Sequence, residues 1–498
     1  MKTYQPWNPR QSFLLPPSLD EWLPESHLVY LVLDVVAALD ISDIERDLQS
    51  KDPRGQRPYD PRMMLALLIY AYCHGITSSR QIARLCWHDV AFRVLACNAQ
   101  PAHTTIADFR VRHLPAIQRL FKQVLQLCRR AGLVSLGHVA LDGTKVSANA
   151  SKHKAMGYAR MLEEEKRLDG LIRDLTAKAT ATDAAEDVEH GRGVSPEHLP
   201  AELRRQEQRR QRIAEAREAL EAEAAQARAE VLLERAATHR DNAQAAETEK
   251  QRQHSERLGK KAQDEAEAYS SPDDDGPRAP PAPTAMPQHQ VQHDAAGKPD
   301  PKAQRNFTDP ESRICKRGNG YGQDYNCQAA VDEAHHIIVA EGVGNQPPDS
   351  QYLPPMVARM RENLDGDLPK ALSADTGYLS AANVAACEAA DVLPHIAIGR
   401  QKHRTDPADA PALMPADAAL RDKMRSRLAT TEGKHLYAKR KSTVEPVFGH
   451  IKGPLRFRQF SLRGLAKVAS EWALVCLCHN LLKLLTVEGA WRRALPAA

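Results

Sequence analysis

The sequence has few aromatic residues and little net charge. Of its 498 residues only 5% are aromatic, and 68 Lys and Arg stand against 64 Asp and Glu, which gives a formal charge of +4. The low aromatic share beside 42% hydrophobic residues favours a chain rich in helix. A net charge this small identifies no partner, so only the local distribution of charge is informative. The length exceeds one compact core and predicts roughly two to four structural units.

The cysteines and the apolar segments exclude several classes of protein. The nine cysteines are scattered without a Cys-x-x-Cys pair, which argues against a disulfide framework and against a zinc finger. We interpret Cys476, Cys478 and His479 as buried core rather than metal ligands, because they lie in an apolar helical segment. That segment, 472–485, is too short to span a bilayer, and the first residues have no signal-peptide pattern. We therefore expect a cytoplasmic protein without a membrane partner.

Two stretches of the chain are strongly basic. Residues 434–467 hold nine Lys or Arg and a single acid, Glu445, while residues 109–130 hold six Lys or Arg and no acid. Concentrated positive charge neutralises phosphates, and nucleic acid is its commonest partner. A solvated basic surface is an equally open interpretation for either stretch taken alone.

The pattern of residues 1–132 predicts a helical N-terminal domain. Residues 28–39 are apolar, Pro61 suits a first helical position, and the pairs 78–79 (Ser-Ser) and 104–105 (Thr-Thr) suit helix caps. Short capped helices with a basic last segment are typical of helix-turn-helix bundles that bind DNA. A plain helical bundle remains the alternative.

The rest of the chain alternates between strand and helix patterns, which predicts a mixed α/β core. A strand over 138–148 opens this core, within a first part at 133–157. The remainder, 306–498, is predicted to contain a hairpin (326–331 and 336–343), a helix (353–363), a strand (371–375), a helix (381–390), a strand (393–398) and helices at 444–452 and 467–485.

A long polar segment interrupts the core after its first strand. Residues 158–268 are rich in Glu, Lys, Arg, Gln and Ala with sparse heptad-spaced apolar positions, which predicts a helical hairpin or coiled coil broken near 191–200. Residues 269–305 are rich in Pro and Asp and are predicted to be a disordered linker.

Three carboxylates stand out by their surroundings. Asp142 and Asp375 each follow an apolar strand segment and precede a Gly-containing turn, and Glu445 is the lone acid of the basic stretch 434–467. An Asp in an apolar strand is costly unless it is paired or binds metal. Phosphodiester cleavage needs an activated nucleophile and a stabilised leaving oxygen, which two Mg²⁺ ions held by a few carboxylates supply. Taken singly, each residue also fits a turn, a cap or a salt bridge.

These segments resemble the catalytic blocks of bacterial insertion-sequence transposases of the Asp-Asp-Glu type, which have a ribonuclease-H-like core. The resemblance rests on HVALDGTKVSANASKHK (138–154), ALSADTGYLSAAN (371–383) and STVEPVFGHIKG (442–453), with further likeness at 59–96, 101–113 and 325–350. One branch of the family carries a Tyr-Arg-Glu-Lys signature around the third carboxylate. Tyr437, Arg440, Glu445 and Lys452 follow it, except that Arg440 lies one residue further from Glu445, so that Lys441 is an alternative to it.

The resemblance implies a function and a set of site residues. Asp142, Asp375 and Glu445 would be catalytic and would bind Mg²⁺, or Mn²⁺ in its place. DNA contacts would come from the basic residues and the tyrosine near them, namely Tyr437, Arg440, Lys441, Lys452, Lys145 and Arg456. The fold would be a ribonuclease-H-like mixed sheet with flanking helices, preceded by the all-α domain and interrupted by the helical insertion.

The implied reaction is cleavage at the transposon ends followed by transfer of the 3′-hydroxyl into target DNA. The partners would be double-stranded DNA and further copies of the chain, in a homodimer or larger assembly, and the protein would be associated with the nucleoid. No nucleotide cofactor is expected, since the sequence has no GxxxxGK[ST] motif. The alternatives are a non-catalytic DNA-binding or coiled-coil protein, a decayed transposase that binds without cutting, and a metal nuclease that cuts without joining.

Overall fold

The N-terminal part of the chain is helical, as predicted. The computed structural model describes residues 18, 21–50, 57–190, 201–269, 282–317, 320–399, 415–487 and 490–494. The helices before the first strand are α1 (Leu28–Ala38), α2 (Ser42–Gln49), α3 (Pro61–Cys73), α4 (Ser79–His88), α5 (Val90–Leu95), α6 (His103–Arg112) and α7 (Leu114–Arg130).

Two of the three predicted helix starts are confirmed. Pro61 is the first residue of α3, and the side chain of Ser78 accepts a hydrogen bond from the backbone N–H of Gln81 at the start of α4. The prediction of a threonine cap for α6 is wrong. That helix begins at His103 after Ala102, whose side chain has no acceptor, so both threonines lie inside the first turn.

One mixed sheet forms the centre of the protein. Its strands are β1 (His138–Ser147), β4 (Arg313–Arg317), β5 (Gly320–Asp332), β6 (Ile338–Gly344), β7 (Ala371–Ala374) and β8 (Leu393–Ile396). The strand order is β4-β5-β1-β7-β8, with β6 also paired to β5. The pairs involving β5 are antiparallel, whereas β1 with β7 and β7 with β8 are parallel. The predicted strands are therefore confirmed, and β4 is an addition that the pattern did not show.

Further helices lie between and after the later strands of the chain. They are α11 (Leu353–Asn363), α12 (Ala381–Ala389), α13 (Pro415–Ala429), α14 (Thr431–Lys452), α15 (Leu465–Thr486) and α16 (Ala490–Ala494). The predicted bounds of α11 are confirmed to the residue. The helix predicted at 444–452 begins earlier, at Thr431, where the side chain of Thr430 caps it.

The insertion consists of long helices, and a small two-stranded sheet connects it to the core. The helices are α8 (Tyr158–His190), α9 (Ala201–Gln244) and α10 (Glu249–Glu267), and α9 packs against both others. Strands β2 (Ala155–Gly157) and β3 (Gln304–Asn306) pair antiparallel, so the chain leaves and re-enters the core at one place. The insertion has its own apolar cluster, which includes Met161, Leu168, Ile213 and Leu220. The break predicted near 191–200 lies outside the described residues.

The linker predicted at 269–305 needs correction. Residues 270–281 lie outside the described part of the chain, but residues 282–305 are held on the protein. The backbone N–H of His289 donates to Asn345 Oδ1 at 2.7 Å, and Arg359 Nε donates to the carbonyl of Thr284 at 3.0 Å. Val291 is buried in the cluster of the insertion. Side-chain hydrogen bonds from the core thus compensate for the low apolar content of this segment.

Helix α15 joins the N-terminal helices to the sheet. It packs against α3, α7 and β6, and it carries Cys476, Cys478 and His479, all buried as predicted. With 22 residues, α15 is long and apolar enough to cross a membrane, yet 78% of its most apolar stretch is buried inside the protein. A helix that is apolar all round and buried in this way is a core helix. The main apolar core is therefore continuous from α1 to α15.

Candidate active site

The strand register brings Asp142 and Asp375 together. Strands β1 and β7 run parallel, with Ala140 opposite Ser373. Two residues further along each strand direction, Asp142 therefore lies level with Asp375. Neighbouring strands are about 4.8 Å apart. The parallel pairing therefore brings together two carboxylates that are far apart in the sequence. They lie at the edge of the sheet where β7 reaches its carboxyl end.

Asp142 lies in a partly buried position beside a cation. Its Oδ2 accepts a hydrogen bond from Arg440 Nη1 at 2.8 Å, and its Oδ1 accepts one from the backbone N–H of Gly143 at 2.8 Å. Burial raises the pKa of the Asp142 carboxyl; Arg440 opposes this rise, and the nearby Asp375 adds to it. Two neighbouring carboxylates in a partly buried site repel each other when both are ionised, and a nearby cation stabilises their charged form. Arg440 supplies this cation.

Asp375 directly follows β7 and caps a short turn. Its Oδ1 accepts the backbone N–H of Gly377 at 2.8 Å, at the start of the 3-10 turn Thr376–Tyr378. The turn predicted after Asp375 is thus confirmed. The turn predicted after Asp142 is wrong, because Gly143 continues β1, which pairs with β5 up to Ser147.

Helix α14 crosses this edge of the sheet and brings basic side chains to it. Arg440 is 7% exposed and pairs with Asp142. Lys452 donates to the hydroxyl of Thr144, two residues beyond Asp142 on β1, and burial lowers the pKa of its ammonium. The structure therefore brings Arg440 to Asp142, whereas the alternative Lys441 is exposed on the helix surface.

Glu445 lies on α14 and is exposed to solvent. Within the part of the chain that the structure describes, no three His, Cys, Asp or Glu side chains form a group that would hold a metal ion. Glu445 and Lys452 are seven residues apart, about two helical turns, so they share one side of the helix. Glu445 is therefore on the same side as Lys452, whose amine reaches β1 beside Asp142.

Pro446 interrupts the backbone hydrogen bonds of α14 directly after Glu445. A proline lacks the N–H that would bond to the carbonyl four residues earlier, here that of Ser442. His336, in the turn between β5 and β6, takes up this carbonyl through its Nε2 at 3.1 Å. The helix is thus tied to the hairpin at the level of Glu445.

The other predicted site residues lie around this edge. Lys145 donates to the carbonyl of Pro347 at 2.7 Å, and Tyr437 lies 6.0 Å from the guanidinium of Arg440. Arg456 is exposed, with φ of 52°, in the loop after α14. None of these positions by itself identifies a DNA contact.

A polar network that was not predicted from the sequence lies on the face of β1 opposite to Asp142. Its members are Asn326, Gln328, Asp349 and Tyr378, which are linked by hydrogen bonds next to Gly143. Polar residues at alternate positions 326 and 328 of an otherwise apolar strand were the available signal, since alternate residues share a face. Asp349, in a loop, had no such signal.

Comparison with protein families gives two matches, while comparison with curated proteins and with solved structures gives none. Residues 17–112 match a transposase domain (DUF772), and residues 290–481 match a transposase DDE domain. The second match contains Asp375 and Glu445, whereas Asp142 lies between the two matches. Both models describe transposase domains and together they cover more than half of the chain, which supports a transposase of the DDE type.

Proposed function

We propose that this transposase cuts DNA at the ends of its element and transfers the freed 3′-hydroxyl to target DNA, using Asp142, Asp375 and Glu445. The parallel pairing of β1 and β7 carries the proposal, because it brings the first two carboxylates to one sheet edge. The order β6-β5-β1-β7-β8, with antiparallel pairs before β1 and parallel pairs after it, supports a ribonuclease-H-like core.

The donor set at this edge fits a hard divalent cation. Mg²⁺ prefers oxygen ligands and is commonly held by one or two carboxylates together with substrate phosphates. Asp142 and Asp375 would therefore be enough protein ligands to bind it when DNA is present. Glu445, on the same side of α14 as Lys452, would be the third ligand. Bound Mg²⁺, or Mn²⁺ in its place, would activate the attacking oxygen and stabilise the charge on the leaving oxygen.

Arg440 is suited to contact a phosphate next to Asp142. It is almost fully buried, and within the described residues its Nε atom has no hydrogen-bond partner, although its Nη1 donates to Asp142. A buried donor without an acceptor costs free energy unless a ligand supplies that acceptor. Burial opposes the charge of the guanidinium, but the nearby Asp142, with Tyr437, outweighs this effect and raises the pKa of Arg440, which is therefore charged.

A basic surface continues from this edge and would bind the DNA backbone. The backbone N–H of Ser147 donates to the carbonyl of Arg458 at 3.2 Å, and Arg463 Nε donates to the carbonyl of Asn149 at 2.9 Å. These bonds join the end of β1 to the loop after α14. The exposed basic residues so collected are Lys152, His153, Lys154, Arg456, Arg458 and Arg463. Together with Lys441, Lys452 and Tyr437 they form the proposed DNA path. Lys145 lies on the other face of β1, where its amine donates to Pro347 and Asp349.

The remaining parts have proposed roles in assembly. The N-terminal helices would bind DNA in the manner of a helix-turn-helix bundle. The helices α8–α10 would act as a coiled-coil element that holds two copies of the chain together, since joining two transposon ends requires a homodimer or larger assembly. Arg440 beside Asp142 supports the Tyr-Arg-Glu-Lys branch, with Arg440 rather than Lys441 as its arginine.

The test is cleavage of labelled DNA that carries the ends of the element, with and without Mg²⁺. We expect nicking by the wild type with Mg²⁺ and loss of nicking, with DNA binding retained, in Glu445→Gln and Asp142→Asn. Glu432→Gln, an exposed glutamate in the first turn of the same helix, is the matched control and should cut normally.

Two results would favour the alternatives. Binding without metal-dependent cutting by the wild type indicates a non-catalytic DNA-binding protein or a decayed transposase. Cutting without product joining, measured with a supercoiled target plasmid, indicates a nuclease that does not transfer strands.

A further inference from the structure

A third aspartate, Asp349, is held behind the two strands that carry Asp142 and Asp375. It lies between β6 and α11, and its Oδ1 accepts hydrogen bonds from Asn326 Nδ2 at 2.7 Å and Gln328 Nε2 at 3.0 Å. Lys145 Nζ lies 3.4 Å from the same oxygen. Asn326, Gln328 and Lys145 come from the paired strands β5 and β1, in which Gly143 faces Gln328 and Lys145 faces Asn326. One carboxylate oxygen thus binds side chains of both strands.

Asp349 also lies against a glycine close to each aspartate of the pair, one residue after Asp142 and two residues after Asp375. A Cβ atom added to Gly143 would lie 2.8 Å from Asp349 Oδ1, and one added to Gly377 would lie 3.7 Å from Asp349 Cβ. Gly143 adjoins Asp142, and Gly377 donates its N–H to Asp375. The approach of Asp349 to β1 therefore depends on a residue without a side chain at position 143.

A buried tyrosine completes the link to Asp375. Tyr378, three residues after Asp375, is fully buried and donates its hydroxyl to Gln328 Oε1. Gln328 is itself fully buried and donates to Asp349 and to Asn326. A continuous series of hydrogen bonds therefore runs from the turn after Asp375, through Gln328, to Asp349 and the strand of Asp142.

We propose that Asp349 is a positioning residue for the carboxylate pair, which acts through Gln328, Tyr378 and Lys145. Buried polar networks in which every member is bonded hold their parts rigidly. Here the parts are the backbone after Asp142 and the turn after Asp375, whose spacing sets how well the two carboxylates share a metal ion. This inference rests on the proposed function, because it concerns the same metal site.

The test measures metal binding without DNA, as the rise in melting temperature of the full-length protein on titration with Mn²⁺. A ligand that binds only the folded state stabilises it in proportion to ln(1 + [L]/Kd), so the titration reports the affinity. Asp349→Asn keeps the shape but removes the charge. Tyr378→Phe keeps the charge and removes only the hydroxyl that donates to Gln328. Asp367→Asn, at an exposed aspartate that pairs with Arg129, is the matched control.

We expect both Asp349→Asn and Tyr378→Phe to weaken Mn²⁺ binding by about 10- to 100-fold, the range typical of residues that orient metal ligands. The control should titrate as the wild type does. A loss in Asp349→Asn with unchanged affinity in Tyr378→Phe would overturn the proposal, because a charge effect alone explains that result.

The outcome also separates this inference from the proposed function. If Asp142→Asn abolishes the Mn²⁺ response while Asp349→Asn and Tyr378→Phe leave it intact, the metal site stands and the role of Asp349 is refuted. If the wild type shows no Mn²⁺ response, both proposals fail.

Discussion

Replacement of Gly143 by alanine tests whether the network behind Asp142 is as tightly packed as the structure indicates. An added Cβ would lie 2.5 Å from Gln328 Nε2, 2.8 Å from Asp349 Oδ1 and 3.1 Å from Asn326 Oδ1. Real Cβ contacts are longer, so the two amides and the carboxylate must move apart or β1 must shift. Gln328 is fully buried and bonded at both ends of its amide, which leaves it little room to move.

The size of the effect follows from these contacts. Overpacking of a filled interior costs about 1–3 kcal/mol, and a lost buried hydrogen bond adds a cost of similar size. We therefore expect Gly143→Ala to lower the free energy of unfolding by roughly 2–4 kcal/mol. Because Gly143 adjoins Asp142, DNA cleavage should fall by at least about tenfold in protein that remains folded, as a small misplacement of catalytic groups suffices for such a loss.

The assay is urea unfolding followed by circular dichroism, together with DNA cleavage at a temperature where the variant is folded. Gly170→Ala is the matched control, because Gly170 lies inside α8 and an added Cβ would meet nothing within 4 Å apart from the adjoining backbone of its own helix. In an open helical position this change should stabilise by about 0.5–1 kcal/mol. A Gly143→Ala protein with wild-type stability and wild-type cleavage would show that the network yields easily and would refute the reasoning.

Two further predictions concern pH and the insertion. His479 Nε2 lies 2.9 Å from the carbonyl of His336 and must donate to it, so its Nδ1 accepts from His450 Nδ1 at 3.0 Å. Burial lowers the pKa of His479 to about 3 from 6.5, so the unfolded chain binds the proton more readily and stability should fall as pH drops below about 6.5. In urea unfolding between about pH 4.5 and 7, His479→Gln should be less stable at pH 7 but less sensitive to acid; an unchanged pH dependence would contradict this. Replacing α8–α10, residues 160–269, by a short Gly-Ser linker should leave the rest folded, because the insertion has its own apolar cluster and enters and leaves at β2 and β3. A deletion extended to residue 300 should be less stable, since it also removes the bonds of Thr284 and His289; equal melting temperatures for the two deletions would show that residues 282–300 contribute nothing.

Local patterns in the sequence were sufficient to predict most elements of the catalytic region. Strand β7 and helices α11 and α12 lie where apolar spacing and turn residues put them, with ends within one residue. These are short elements with clear boundaries, so local chemistry decides them. The cap of α6 and the packing of residues 282–305 were mispredicted, since the first depends on the exact start of a helix and the second on bonds from distant residues.

The sequence by itself singled out Asp142 and Asp375, because a carboxylate in an apolar strand is chemically conspicuous. Only the tertiary structure decided that they meet, since the parallel register of β1 with β7 is a long-range pairing. It also decided that Arg440 rather than Lys441 reaches Asp142, and that Asp349 lies behind both strands. The spacing of apolar residues in a sequence predicts one helix or strand at a time. Contacts between strands, helices and loops depend instead on how those elements pack together.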